Sequence, residues 1–97
     1  MPTYISLLRY TQQGIAAAKG GPARLDAAKA AYRKAGGEPK AFYLTMGQYD
    51  MVVIAELPND EAVATLALGL GAAGNIRTET SRAFTEAEYR KIVATLP

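Results

Sequence analysis

The sequence predicts an α+β fold in the order β-α-β-β-α-β, closed by an extra C-terminal helix, and three observations predict it. Met51-Val52-Val53-Ile54-Ala55 is a continuous apolar run of strand length, as expected of a central strand covered on both faces. Between Pro22 and Ala35, Leu25, Ala28, Tyr32 and Ala35 recur at helical spacing on one side. From Asn75 to Ala83, Arg77, Glu79 and Ser81 alternate with Ile76, Thr78 and Thr80, which fits an edge strand guarded by charge.

Taken in order, Thr3 to Tyr10 is rich in β-branched, aliphatic and aromatic residues and reads as the first strand. Thr11-Gln12-Gln13-Gly14 breaks it, and Ile15 to Lys19 is expected to make a short helical turn. Pro22 suits the first position of the following helix, where its missing N–H costs nothing, and Gly36-Gly37 ends that helix. Its apolar stripe is mostly alanine. Small side chains either let the helix close down on a sheet or leave a cavity beneath it.

Glu38 to Met46 is expected as the second strand, joined by a two-residue Gly47-Gln48 turn to a strand starting at Tyr49. That turn pairs Met46 with Tyr49, Leu44 with Met51 and Phe42 with Val53, so these side chains share a face. Continued along the hairpin, the first face carries Phe42, Leu44, Met46, Tyr49, Met51, Val53 and Ala55 and belongs under the helices. The second carries Ala41, Tyr43, Thr45, Asp50, Val52, Ile54 and Glu56, too apolar to leave in water over its whole length. Pro58-Asn59-Asp60-Glu61 then opens a helix with Asn59 or Asp60 as N-cap and acids in its first turn. Val63, Leu66, Ala67 and Leu70 form its stripe. Thr85 and Glu88 have capping-box spacing, Phe84 and Tyr89 that of a hydrophobic staple. The closing helix offers Tyr89, Ile92, Val93 and Leu96 to its own sheet's edge or to a neighbouring subunit.

Composition narrows the function classes. Ninety-seven residues, 49% hydrophobic and 21% charged, are expected to form one domain over 1–97. Eleven Lys and Arg are scattered among nine acids with no basic block, so no nucleic-acid partner is expected. The absence of Cys and His removes thiolate nucleophiles, Ser-His-Asp triads, and imidazole or thiolate metal ligands. The acids are dispersed, so no metal and no cofactor is expected. No apolar run has the ~20 residues of a membrane span, and no leader pattern precedes the first strand, which points to a cytoplasmic protein without a membrane partner.

The element order matches the ferredoxin-like split βαβ arrangement, with the first and third strands central and the second and fourth at the edges. Helices on one face leave the other bare. Two such sheets stacked face to face give a dimeric α+β barrel, so a homodimer or higher homo-oligomer is expected. The segment T-M-G-Q-Y-D-M-V-V-I-A-E-L-P-N-D-E-A resembles the signature of the GYD domain family, with Gly47, Tyr49 and Asp50 as its namesake residues. Y-T-Q-Q-G-I at Tyr10 to Ile15, G-N-I-R-T-E-T at Gly74 to Thr80, and the run from Pro22 to Gly37 are similar to that family too. The resemblance implies a small, stand-alone ferredoxin-like protein of the dimeric α+β barrel group and supplies no catalytic residues.

Asp50 is the best catalytic candidate, an acid at the start of a central strand that serves either as a base or as a hydrogen-bonding anchor for the hairpin. Candidate ligand contacts are Asp50, Tyr43, Arg9 and Tyr10. Arg77 and Arg82 are further candidates to hold a carboxylate. Gly47 is assigned to the turn and Tyr49 to packing on the core side. The expected function is binding of a small molecule in a cavity between sheet and helices. Alternatives are a non-catalytic assembly or regulatory module, of the kind ACT-type sensors exemplify, and an enzyme resembling the cofactor-free monooxygenases of the barrel group.

Overall fold

The computed structural model describes residues 1–97. Four strands, β1 (Thr3–Tyr10), β2 (Glu38–Leu44), β3 (Met51–Glu56) and β4 (Ile76–Ala83), form one sheet in the order β2-β3-β1-β4. Every neighbouring pair is antiparallel. The helices are α1 (Gln12–Ala16), α2 (Gly21–Lys34), α3 (Asp60–Ala72) and α4 (Glu86–Ala94), with a 3-10 turn at Ala18–Gly20. This is the expected ferredoxin-like α+β arrangement, with β1 and β3 central.

Side-chain alternation places the core. Tyr4 and Leu8 from β1, Met51, Val53 and Ala55 from β3, Leu57 beyond it and Tyr32 from α2 are buried together between the sheet and α2 and α3. Val63 and Leu66 of α3 pack against this cluster and remain half-buried. α2 stops in a Schellman arrangement, Gly37 N–H donating to Tyr32 C=O (3.0 Å) and Gly36 N–H to Arg33 C=O (3.0 Å). Asn59 is the N-cap of α3, its side chain accepting from Ala62 N–H at 2.9 Å.

The hairpin differs from expectation at its tip. Leu44 opposes Met51 and Phe42 opposes Val53 as the apolar alternation requires, but β2 ends at Leu44 and β3 begins at Met51. The connection is therefore Thr45–Asp50, not a tight Gly47-Gln48 turn, and Met46 does not pair with Tyr49. Thr45 N–H donates to Asp50 C=O and Asp50 N–H to Leu8 C=O, both at 2.8 Å, so Asp50 is tied to β1 as well as to the hairpin. Gly47 adopts φ +115° in this wider loop, a region where a side chain is strained. Near the other end of β2, a bulge at Lys40 shifts the register between Pro39 and Ala41.

α1 is a fastener. Thr11 N–H donates to Asn75 C=O (3.1 Å) and Thr11 Oγ1 to Gly74 C=O (2.6 Å), while Gln13 Nε2 donates to Ala73 C=O and Asn75 Oδ1. Gly14 lies flat against this turn: a Cβ there would sit 1.9 Å from Asn75 O. Two of the motifs noted in the sequence, Y-T-Q-Q-G-I and G-N-I-R, are thus the two halves of one contact.

The opposite face of the sheet has no helix over it. Its central positions are Ile5, Leu7, Val52 and Ile54, flanked by Ala41 and Tyr43 on β2 and by Arg77, Glu79 and Ser81 on β4.

Candidate functional site

Two places gather polar side chains. The first is the hairpin end of the sheet. Asp50 Oδ2 accepts from Tyr10 N–H at 2.9 Å, closing the last amide of β1. Arg9 Nε donates to Gln48 C=O at 3.0 Å, and its guanidinium lies 4.8 Å from the centre of the Tyr49 ring. Tyr49 Oη donates to Glu79 Oε2 at 2.7 Å, and that bond, followed by desolvation, raises the phenol's pKa. Thr45 Oγ1 donates to Tyr49 C=O at 2.6 Å.

Tyr49 therefore lies across the uncovered face and not on the core side as expected. The wider loop releases it from the strand alternation, and Arg9 and Glu79 hold it from β1 and β4. The four candidate ligand contacts are not brought to one point. Arg9 and Tyr43 project from the uncovered face, the latter 59% exposed on β2. The Tyr10 side chain packs against the core on the other face, and only its N–H meets Asp50. This arrangement binds β1, β4 and the hairpin together. The side chains of Asp50, Tyr49 and Thr45 make their hydrogen bonds within the chain.

The second place is on the helix side. The space enclosed by sheet and helices is only about 10 Å³, beside Tyr4, Ser6, Tyr32 and Leu57. The buried Tyr32 of α2 fills the space against the sheet, so the alanines beside it leave no chamber. An open cleft of about 440 Å³ lies instead between α3 and β4, where Ala64 and Ala67 face Thr78 and Thr80. At its rim the buried Tyr4 donates from Oη to Asp60 Oδ1 at 2.5 Å. This bond to Asp60, then burial, raises the Tyr4 pKa. The Arg82 guanidinium lies 6.0 Å from the Tyr4 ring and 4.4 Å from that of Phe84, and its Nη2 is 3.5 Å from Glu88 Oε2. Within the wall, the Ser6 and Thr80 hydroxyls pair at 2.8 Å. Sequence reasoning singled out Arg82 and missed Tyr4 and Asp60. The available signal was Ala67 on the α3 stripe, with Ala64 beside it, opposite the short β4 threonines. No group of three or more acidic, His or Cys side chains is placed to hold a metal ion, and no helix is long and apolar enough to cross a membrane.

A family model for the GYD domain matches residues 4–93. The chain belongs to the GYD domain family. In this GYD domain Tyr49 and Asp50 fasten the hairpin end, and Gly47 gives the loop its bend at φ +115°. Among solved structures, the crystal structure of TTHA0845 from Thermus thermophilus is similar, with a TM-score of 0.54 and 25% identity over 88% of this chain and 95% of that one. No curated protein matches this chain.

Proposed function

We propose that this GYD domain, taken as one domain over 1–97, is a self-assembling module that works as a homodimer built by stacking two sheets. One observation carries the reading: the sheet's two central strands present Ile5, Leu7, Val52 and Ile54 on a face that no element of the chain covers. These four side chains are already half-buried by their neighbours in the sheet, so covering them gains part of the roughly 1.5–3 kcal/mol each that full burial offers, a contribution towards the entropic cost of association. The rim supports self-pairing, because Arg9 and Arg77 lie on the same face as Glu56 and Glu79 and present both signs to a second copy. The nearly filled interior argues against a ligand enclosed beneath α2.

A second reading has its own observation. The open α3–β4 cleft falls within the ~300–1,000 Å³ range of small-molecule sites, and Tyr4, Asp60 and Arg82 supply polar anchors above an apolar floor. In that reading the assembled module also holds a small molecule there.

Native mass spectrometry tests both. A species at about twice 10.3 kDa is expected, and Val52→Asp should reduce it to a folded monomer with unchanged circular dichroism. Extra mass released on denaturation, and absent from Asp60→Asn, supports the cleft reading. A wild-type chain that stays monomeric at ~100 µM overturns the assembly reading, since functional interfaces of this size bind more tightly than that.

A further inference from the structure

Two like-charge pairs lie on the uncovered face of the sheet, and their signs are opposite. At the hairpin end Arg9 of β1 is directly opposite Arg77 of β4. At the other end Glu56 of β3 is directly opposite Glu38 of β2. Arg9 follows Ile5 and Leu7 in the alternation, Glu56 follows Val52 and Ile54, and Arg77 precedes Glu79 and Ser81. Glu38 lies beyond the Lys40 bulge and shares the face of Glu56 by its register. Like charges set directly opposite one another destabilise a sheet, so both pairs cost the free chain stability.

The two corners are compensated unequally. Lys40 Nζ lies 3.3 Å from Glu56 Oε1, and Arg33 Nη2 of α2 lies 4.0 Å from Glu38 Oε1. At the other corner Arg9 donates to Gln48 C=O and lies over Tyr49, and no carboxylate pairs with it or with Arg77. The acids nearby are engaged, Glu79 by Tyr49 Oη and Asp50 by Tyr10 N–H.

Strand order sets these corners on a diagonal. The arginines occupy β1 and β4 at one end, the glutamates β2 and β3 at the other. At ~3.3 Å per residue and ~4.8 Å between strands, the corners are about 20 Å apart along the strands and about 10 Å across them. Their midpoint falls among Ile5, Leu7, Val52 and Ile54.

We propose that two copies of this chain stack about a diagonal two-fold axis, so that Arg9 and Arg77 of each copy meet Glu56 and Glu38 of the other; the proposal rests on the stacked-sheet reading. An axis along the strands lays the arginine corner over the other copy's hairpin tip. An axis across them lays it over Thr3 and Ala83. The diagonal through both charged corners sets like charge on like. Only the remaining diagonal exchanges the two corners, and it keeps the four apolar side chains at the centre. The ionic contact then forms twice by symmetry, and its role is to fix the orientation of the pair more than to supply affinity.

A charge swap in the full chain tests the pairing. Arg77→Glu alone and Glu56→Arg alone should each raise the dimer dissociation constant about fivefold or more by sedimentation, with circular dichroism unchanged. The chain carrying both should return to within about twofold of wild type. In one chain the two positions are about 20 Å apart, well beyond the ~8 Å screening length at physiological salt, so the rescue reports a contact between copies. Arg77→Glu with Glu38→Arg repeats the test on the two edge strands, where substitution spares the central strands. A double variant that dimerises no better than its weaker single in both pairs overturns the diagonal pairing and leaves the stacked sheets standing. Wild-type affinity that does not fall between about 50 and about 500 mM NaCl has the same meaning. A wild-type chain that stays monomeric at ~100 µM removes the stacked sheets themselves.

Discussion

Asp50 directs its carboxylate at the chain itself. Its bond from Tyr10 N–H, together with its own N–H to Leu8 C=O, ends β1 where the hairpin loop crosses it. Replacing it by Ala leaves the Tyr10 amide without that partner, and such a loss costs about 1–2 kcal/mol. Asp50→Asn keeps a side-chain acceptor and should lose about half as much by urea denaturation. At the other end of the molecule, Glu88 has a pKa below its ordinary 4.5, chiefly because its carboxylate accepts from Thr85 N–H, with Arg82 beside it. The native chain therefore favours the ionised form. The stabilisation is complete above pH 4.5 and is lost as the pH falls through the depressed native value. Helical content at residues 86–94 should fall in that acidic window by NMR chemical shifts, and Glu88→Gln should weaken the pH dependence, leaving the part carried by the Glu86–Arg90 pair.

Among the elements, α1 shows how a short segment fixes a long connection. Its five residues gain little from their own helical bonds, and their worth lies in clamping the turn between α3 and β4. Gly14→Ala places a methyl carbon against the Asn75 carbonyl, so the clamp must open. A loss of about 2–3 kcal/mol is expected by thermal or urea unfolding. The hairpin shows what the sequence made legible. Period-two alternation was enough to set Leu44 against Met51 and Phe42 against Val53, because a slip by one residue exchanges core and solvent faces. The tip escaped that rule. Tyr49 takes its position from Glu79, 30 residues away, and from Arg9, partners that no local pattern displays. The cavity escaped it for a related reason. An alanine-rich stripe on α2 is compatible with a chamber or with close packing, and the bulk of Tyr32 fills the space a chamber would need. The open cleft formed instead where α3 meets β4, a pairing set by strand order.

For the whole molecule, element order and polarity sufficed to read the fold, since right-handed crossovers leave few ways to arrange four strands with a charged last one. The candidate site was far less legible, because Tyr4, Asp60 and Arg82 come from three separate stretches and meet only when the sheet closes. That closure has a consequence for synthesis. β1 sits between β3 and β4, and its bonds to β4 join residues at opposite ends of the chain. While a ribosome is still making the protein, β1 and β3 can pair early, but one long side of β1 keeps its amides and carbonyls open until residue 83 has left the exit tunnel. Throughout that interval the nascent chain carries an apolar strand with a bare edge, the kind of surface that recruits chaperones or mispairs with a neighbour. The last strand to emerge, rich in Arg, Glu, Thr and Ser, is the one that seals it.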